Sequence, residues 1–440
     1  MEREESRMAP NDAHDRVDLD GMKPDEIIYD WNTVERTGPI TRDKIYVLDE
    51  TLRDGLQSPS VVNPNLTDKL MLVHTMDELG IDVADVGLPG SGQKAVDDVA
   101  GICQEIVRSK LHIRPACACR TLDRDVEPII EISQKVGIAI EVLAFIGTSP
   151  IRRFVEGWEA YRMYKLVRES IQLARRYNLP VTFVTEDTTR AKPDTLFPLY
   201  HVAVEAGASR ICLSDTVAHS TPDGLRNLVR FTKNVIQGMG KEIGIDWHGH
   251  NDRGLGLTNA LHAVECGVTR VHGTALGIGE RCGNVPIDQL MVNMKLLEII
   301  DNDLSKMVLY CKQAALAMHW PVPKNYPVVG EDAFRTSTGV HAAAIRKAHR
   351  IGADWLADRI YSGIPASMFG LKQRIEIGQM SGESNVLFWL EQHGFPPRKS
   401  IVRRIMDIAK QSDRVLDDVE LEFIARRYMN ESDDDYEELF

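Results

Sequence analysis

Two hydrophobic rhythms alternate along most of this chain. Short apolar runs bounded by polar or glycine-containing turns read as strands at Lys44 to Leu48, Val83 to Gly87, His112 to Ala118 and Ala139 to Phe145. The same pattern recurs at Val181 to Val184, Arg210 to Leu213, Gly244 to His248 and Val268 to Gly273. Between them lie stretches with helical spacing of apolar positions, such as Thr67 to Leu79 and Trp158 to Tyr177. The regular alternation predicts an α/β fold, a (β/α)8 TIM barrel over residues 41–320, in about the length such a barrel needs.

Past residue 320 the rhythm changes. Trp320-Pro321-Val322-Pro323 reads as a linker, and residues 321–440 form a mostly helical C-terminal region with a glycine-rich segment from Phe369 to Gly382. Residues 1–40 read as an N-terminal extension that packs on the barrel or stays mobile. No solenoid-type repeat is visible.

Composition narrows the partners. A net charge of -13 argues against a nucleic-acid partner, which needs a basic face. Part of that charge lies in the tail from Glu431 to Glu438, which reads as a solvated end. No apolar run is long enough to span a bilayer, and Met1 to Asp20 has neither an apolar signal core nor an Arg-rich transit pattern. A cytoplasmic protein without a membrane partner is expected. The 7 cysteines show no paired framework, so reduced thiols are expected. Cys117 and Cys119, two apart in a strand, read as small packing residues rather than a metal pair.

Candidate chemistry gathers at strand ends. His248-Gly249-His250-Asn251-Asp252 closes the run from Ile243 to Trp247, and side chains two apart on a strand share one side. Both imidazoles can therefore reach one divalent ion. Arg53-Asp54, after the first strand, sets an oxygen ligand beside a guanidinium that can hold an anion or polarise a carbonyl. Together, two histidines and one aspartate leave coordination positions open for substrate and water. The third cluster runs from Gly277 to Asn284. Its glycines permit close backbone approach, and Asn284 offers an oxygen to a metal or its water. It lacks the spacing of a dinucleotide fingerprint.

Leu52-Arg53-Asp54-Gly55, His248-x-His250-Asn251-Asp252 and Gly277-x-Gly279-Glu280-Arg281-x-Gly283-Asn284 together resemble the family of 2-isopropylmalate, citramalate and homocitrate synthases. That family shares its barrel with the 3-hydroxy-3-methylglutaryl-CoA lyases. The resemblance runs from about residue 44 to about residue 425 and is densest from His248 to Leu296. It implies an acyltransferase joining acetyl-CoA to a 2-oxo acid, with 2-isopropylmalate synthase, acting on 2-oxoisovalerate, as first choice. Citramalate, homocitrate and re-face citrate synthases stay open. So do a hydroxyacyl-CoA lyase and a non-catalytic metal-binding descendant.

By the same resemblance Asp54, His248 and His250 are ligands of Mg, Mn or Zn, with Asn284 a fourth ligand or the partner of a bound water. Arg53 stabilises the ketone oxygen, Thr216 binds the oxo-acid carboxylate, and Glu186 lines that pocket as a further catalytic acid. Glu186 is read equally as a strand-end acid bonded to neighbouring backbone. His341, in Ser337-Thr338-Gly339-Val340-His341, corresponds to a histidine that helps deprotonate acetyl-CoA. Tyr361 corresponds to a tyrosine of proton handling. A homodimer is implied. The oxo-acid side chain is expected to be read by Leu88, Asp85 and residues around Glu141.

Three positions depart from the family pattern. Leu56 stands where Glu is common, as in the lyases. Ala342-Ala343-Ala344 replaces a Gln-Asp-Gly type segment, and His272 stands where many 2-isopropylmalate synthases carry Glu. For His272 a hydrogen-bonded supporting role is expected rather than a place in the pocket. Against the lyase, Gly279-Glu280-Arg281 occupies the place of the lyases' Gly-Cys-Pro loop, and Cys282 lies in no such context. The chain after Ser381 reads as short helical subdomains without a leucine- or isoleucine-sensing domain, so no feedback inhibition through one is expected.

Overall fold

Each expected strand is found. They are β1 (Tyr46–Asp49), β2 (Val83–Asp85), β3 (Arg114–Arg120), β4 (Glu141–Gly147), β5 (Val181–Glu186), β6 (Arg210–Asp215), β7 (Gly244–Gly249) and β8 (Arg270–Gly273). Neighbours pair in parallel in that order, and β1 also pairs with β8, closing the barrel. The computed structural model describes residues 27–34 and 44–429. Most of the N-terminal extension and the whole acidic tail lie outside them. β3 and β4 both start and end two residues later than the apolar runs suggest. Arg120 pairs with Phe145, and Gly147 with Glu186, so the backbone ladder carries on past the last residue of each apolar run.

The register decides which side chains enter the lumen. In β4, Glu141, Leu143 and Phe145 share one face, and in β8 Arg270 and His272 do. Arg270 Nη1 and Nη2 bond Glu141 at 2.9 and 2.7 Å, although β4 and β8 stand on opposite sides of the ring. Only the lumen connects them. The outward residues Val142, Ala144, Phe183, Ile211, Ile245 and Trp247 are buried under the helices. A parallel sheet covered on both faces reads as nearly continuous apolar runs.

Branched aliphatic residues usually fill such a lumen. Here they fill part of it, with Leu48, Val83, Ala116 and Leu143 packed together against Val184. The floor on the other side is charged. Asp246 receives Arg210 Nε at 2.6 Å and Arg270 Nε at 2.7 Å, and Thr182 donates to Glu141 at 2.5 Å. Burial alone would raise both carboxyls, but the guanidiniums outweigh it and hold Glu141 and Asp246 below the ordinary carboxylate range.

Some helices start on a side-chain cap that the sequence supplies. Asn65 accepts from the Asp68 amide at 3.0 Å ahead of Leu66–Glu78, and Thr221 from the Gly224 amide at 3.2 Å ahead of Pro222–Gly238. The helix expected from Trp158 spans Ala160–Arg176. A short helix not singled out by the pattern, Pro150–Glu156, precedes it and is capped by Ser149. Cys117 and Cys119 point outward from β3 and are fully buried, and burial raises both thiols. Among the described residues, no helix is long and apolar enough to cross a membrane.

The described chain divides into two units, the barrel unit (44–334, with 366–371) and one made of 27–34, 335–365 and 372–429. In the second, Arg335–Thr336 pairs in parallel with Arg374–Ile375. Ala342, Ile345 and Ala348 on helix Gly339–Arg350 pack with Ala357, Ile375 and Phe388. A larger cluster around Trp389, Leu390, Ile401, Ile405 and Leu421 joins Glu383–Gln392, Lys399–Gln411 and Asp418–Tyr428. The last of these helices opens on a capping box between Asp417 and Glu420.

Candidate active site

The alternation that sends Asp246 into the lumen also sends His248 and His250 there, at the C-terminal end of β7. Beyond β7 the backbone gains a further strand-like partner. Val285 N donates to Gly249 O at 3.1 Å and Asn251 N to Gly283 O at 2.9 Å, so Asn284 is paired opposite His250. The loop needs its glycines. Gly283 has φ +84°, and a Cβ there would lie 2.0 Å from the Gly277 carbonyl; a Cβ at Gly279 would lie 2.1 Å from Asn284 Nδ2. Arg281 ties the loop down, with Nε donating to Asp252 at 2.8 Å and Nη2 to the Thr216 carbonyl at 2.5 Å.

One carboxylate and two imidazoles converge. Ligand atoms of Asp54, His248 and His250 all lie within 4.8 Å of one another, and all three residues are buried. Asp54 Oδ2 is 3.7 Å from His248 Nε2 and 3.8 Å from His250 Nε2. Asn284 Nδ2 donates to Asp54 Oδ1 at 3.1 Å, while Asn284 Oδ1 is buried with no hydrogen-bond partner. Burial, then the neighbouring His248, lowers His250 to about 4, so its ring is neutral at neutral pH. Burial would raise the Asp54 carboxyl, but Arg53 and the two histidines outweigh it and hold it low. Two imidazoles, a carboxylate and an orphaned amide oxygen form a donor set that fits a divalent ion.

Three carboxylates pin Arg53. Nε bonds Asp85 at 2.6 Å, Nη1 bonds Asp54 at 2.9 Å, and Nη2 bonds Glu50 at 2.6 Å. A guanidinium has five N–H groups, so two stay free in a fixed plane. Burial pushes the Asp85 carboxyl up to about 6 against the pull of Arg53. Thr216 accepts the Asp187 amide at 2.8 Å, which leaves its own hydrogen to donate. Glu186 does not bond neighbouring backbone through its side chain. It faces Arg152 Nε at 3.3 Å, and burial raises its carboxyl.

Glu50, Arg53, Asp54, Glu186, Thr216, His248 and His250 line one cavity of about 300 Å³, and Asp85 and Asn284 stand behind it. Leu88, Ala118, Leu143, Phe145 and Val184 form its apolar wall. Of the residues expected around Glu141, Leu143 and Phe145, the next lumen residues on β4, reach the cavity, whereas Glu141 itself is held in the barrel floor by Arg270. Asp85 acts on Arg53. His272 bonds Glu50 at 3.3 Å and Asp246 at 3.2 Å and also lines the cavity, so it has both of the roles weighed for it. Leu56 lines an adjoining cavity that shares Arg53, Gln57 and Leu88. Glu50, bonded to His248 Nδ1 at 2.5 Å, was missed by sequence reasoning.

His341 and Tyr361 lie in the second unit, with stacked rings 3.8 Å between centroids. Ala342, next to His341, is fully buried in that unit's core, which gives the small side chain a packing reason.

Residues 44–312, the barrel with its metal-type cluster, match the family model described as HMGL-like. The chain belongs to the HMGL-like family. Among its relatives, homocitrate synthase AksA of Methanopyrus kandleri is 30% identical over 400 residues, covering 89% of this chain and 94% of that protein. The 2-isopropylmalate synthase of Methanocaldococcus jannaschii is 30% identical over 397 residues, covering 86% of this chain and 71% of its own. Among solved structures, the hydroxymethylglutaryl-CoA lyase of Pseudomonas aeruginosa superposes with a TM-score of 0.55 at 17% identity. It covers 67% of this chain and 98% of its own. This last likeness is one of fold.

Proposed function

We propose that this HMGL-like protein is an acyltransferase that condenses acetyl-CoA with a 2-oxo acid of apolar side chain, 2-oxoisovalerate first among them. The observation that carries the reading is the division of one cavity. Asp54, His248, His250, Arg53 and Thr216 lie at one side, and Leu88, Ala118, Leu143, Phe145 and Val184 form a wall with no cation. An apolar wall takes up a branched aliphatic group, while Glu50, Asp54, Glu186 and Glu280 around the same cavity repel a second carboxylate. That disfavours 2-oxoglutarate and oxaloacetate, and with them the homocitrate and citrate readings. Pyruvate, which would give citramalate, leaves the wall unfilled.

A divalent ion held by Asp54, His248, His250 and Asn284 would supply Lewis acidity to the oxo acid's carbonyl. The free N–H groups of Arg53 donate to the ketone oxygen as negative charge grows there. The Thr216 hydroxyl donates to the oxo-acid carboxylate. Glu186, with its raised carboxyl, is suited to pass a proton at the pocket. We assign removal of the acetyl-CoA methyl proton to His341, with Tyr361 assisting. The resulting carbanion carbon bonds the ketone carbon, whose oxygen takes up a proton. Water then cleaves the thioester and releases the CoA thiol. A homodimer belongs to the same reading, and light scattering tests it.

The test is thiol release from acetyl-CoA with Mg²⁺ or Mn²⁺ across 2-oxoisovalerate, pyruvate, 2-oxoglutarate, oxaloacetate and glyoxylate. Fastest turnover of 2-oxoisovalerate, abolished by His248→Ala, is expected. Preference for 2-oxoglutarate would refute the argument from the apolar wall. Silence with every acid, together with cleavage of 3-hydroxy-3-methylglutaryl-CoA, would replace the synthase with a lyase.

A further inference from the structure

We propose that Glu50 and His272 are positioning residues for the metal site. Glu50 locks His248 in the tautomer whose Nε2 lone pair faces Asp54, and His272 holds Glu50 in place. The inference rests on the metal reading of Asp54, His248 and His250.

His248 Nδ1 lies 2.5 Å from Glu50 Oε2. An ionised carboxylate only accepts, so the hydrogen belongs on Nδ1, and Nε2 is left with its lone pair. Glu50 is 2% exposed, and its other oxygen is shared by Arg53 Nη2 at 2.6 Å and His272 Nδ1 at 3.3 Å. His272 is equally buried and spans from that oxygen to Asp246 Oδ2, 3.2 Å from its Nε2. Asp246 is gripped in turn by Arg210 and Arg270. A continuous chain of buried partners therefore runs from the charged floor of the barrel to the back of His248.

The same contacts decide between two groupings that are each compact enough for one ion. Glu50, His248 and His272 also lie within 4.8 Å of one another. Their facing atoms, however, are already spent on one another. Asp54, His248 Nε2 and His250, with the unpartnered Asn284 Oδ1 beside them, form the open grouping. The inner three residues support it.

Calorimetric titration of Mn²⁺ into the metal-free full chain tests this, alongside the thermal midpoint of each metal-free variant. Glu50→Gln is expected to weaken Mn²⁺ binding about 10- to 100-fold, the usual cost of removing a ligand's hydrogen-bonded support. Two His272 variants separate positioning from mere packing. In His272→Asn the amide nitrogen stands near the former Nδ1 and keeps the Glu50 contact, so binding stays within about threefold of wild type. In His272→Gln it stands near the former Nε2, keeps only Asp246, and binding weakens by more than about threefold. If Glu50→Gln does not fold, this pair still carries the test.

Nitrogen-15 spectra of the metal-free wild type add a readout independent of any variant, with His248 expected in the Nδ1–H form. Unchanged Mn²⁺ affinity in Glu50→Gln and His272→Gln, equal losses in both His272 variants, or an Nε2–H His248 would each overturn the proposal. If Asp54→Asn abolishes Mn²⁺ binding in those cases, the metal reading survives. Mn²⁺ binding indifferent to Asp54→Asn, or absent from the wild type, removes the metal reading and the proposal with it.

Discussion

Arg270→Met puts the charged floor of the barrel to a direct test. Arg270 is 1% exposed and gives two hydrogen bonds to Glu141, one to Asp246 and one to Thr182 Oγ1 at 3.0 Å. Its loss is uneven for the two acids. Asp246 keeps Arg210 and His272, whereas Glu141 keeps only the Thr182 hydroxyl. One buried carboxylate is thus stripped of its counter-charge, at a cost of about 3–5 kcal/mol. At roughly 2–4 °C per kcal/mol for a domain of this size, the thermal midpoint falls by about 6–20 °C. Far-UV circular dichroism on heating measures it. The double variant Arg270→Met/Glu141→Gln recovers much of the loss, because the neutral amide no longer needs a cation.

The pH dependence has a fixed sign. With Arg270 present, Glu141 is held below its ordinary value of 4.5, so its stabilising effect is full above that pH and fades as pH falls through the lowered value. Without Arg270, burial dominates and Glu141 rises above 4.5, so the variant loses stability as pH climbs through that raised value. The gap between wild type and variant is therefore widest at neutral pH and narrows on acidification. A midpoint change under about 3 °C, a double variant less stable than the single one, or a gap that widens in acid would refute the account.

The remaining predictions concern the site. Asp54→Asn and His250→Ala each abolish Mn²⁺ binding by calorimetry and metal-dependent thiol release together, and chelation with EDTA gives the same loss of turnover in the wild type, reversed by Mn²⁺. Thr216→Val removes one donor to the oxo-acid carboxylate, a loss of about 1–3 kcal/mol that appears as a roughly 5- to 150-fold rise in the KM for the oxo acid, while the stranded Asp187 amide lowers the thermal midpoint instead; an unchanged KM would take Thr216 out of substrate binding. His341→Ala lowers kcat about 10²- to 10⁴-fold with Mn²⁺ affinity intact, and proton exchange at the acetyl-CoA methyl group should fall in parallel.

What the sequence made legible follows from periods. A parallel strand under helices is apolar outward whatever its lumen holds, so Ile245, Trp247, Ile211 and Phe183 betray their strands even beside Asp246 and Arg210. The period of two likewise links His248 to His250 by chain position alone, and glycine spacing marks the loop that carries Asn284. Glu141 shows the limit of that reasoning. Two residues along a strand shift a side chain by about 6.6 Å, enough to move it from the cavity to the floor and leave the wall to Leu143 and Phe145.

Glu50 was invisible for a different reason. Its partner His248 is 198 residues away, and its backbone is folded into a turn in which the Arg53 and Gly55 amides both bond its carbonyl. No local pattern records such a contact. Charge balance does record it once the fold is known. Glu50, Asp54 and Asp85 surround the single guanidinium of Arg53, an excess of carboxylates beside the imidazoles of His248, His250 and His272. A divalent cation, as proposed at Asp54, would offset that excess. On that reading the carboxylates that fix Arg53 and His248 would also draw the ion to Asp54.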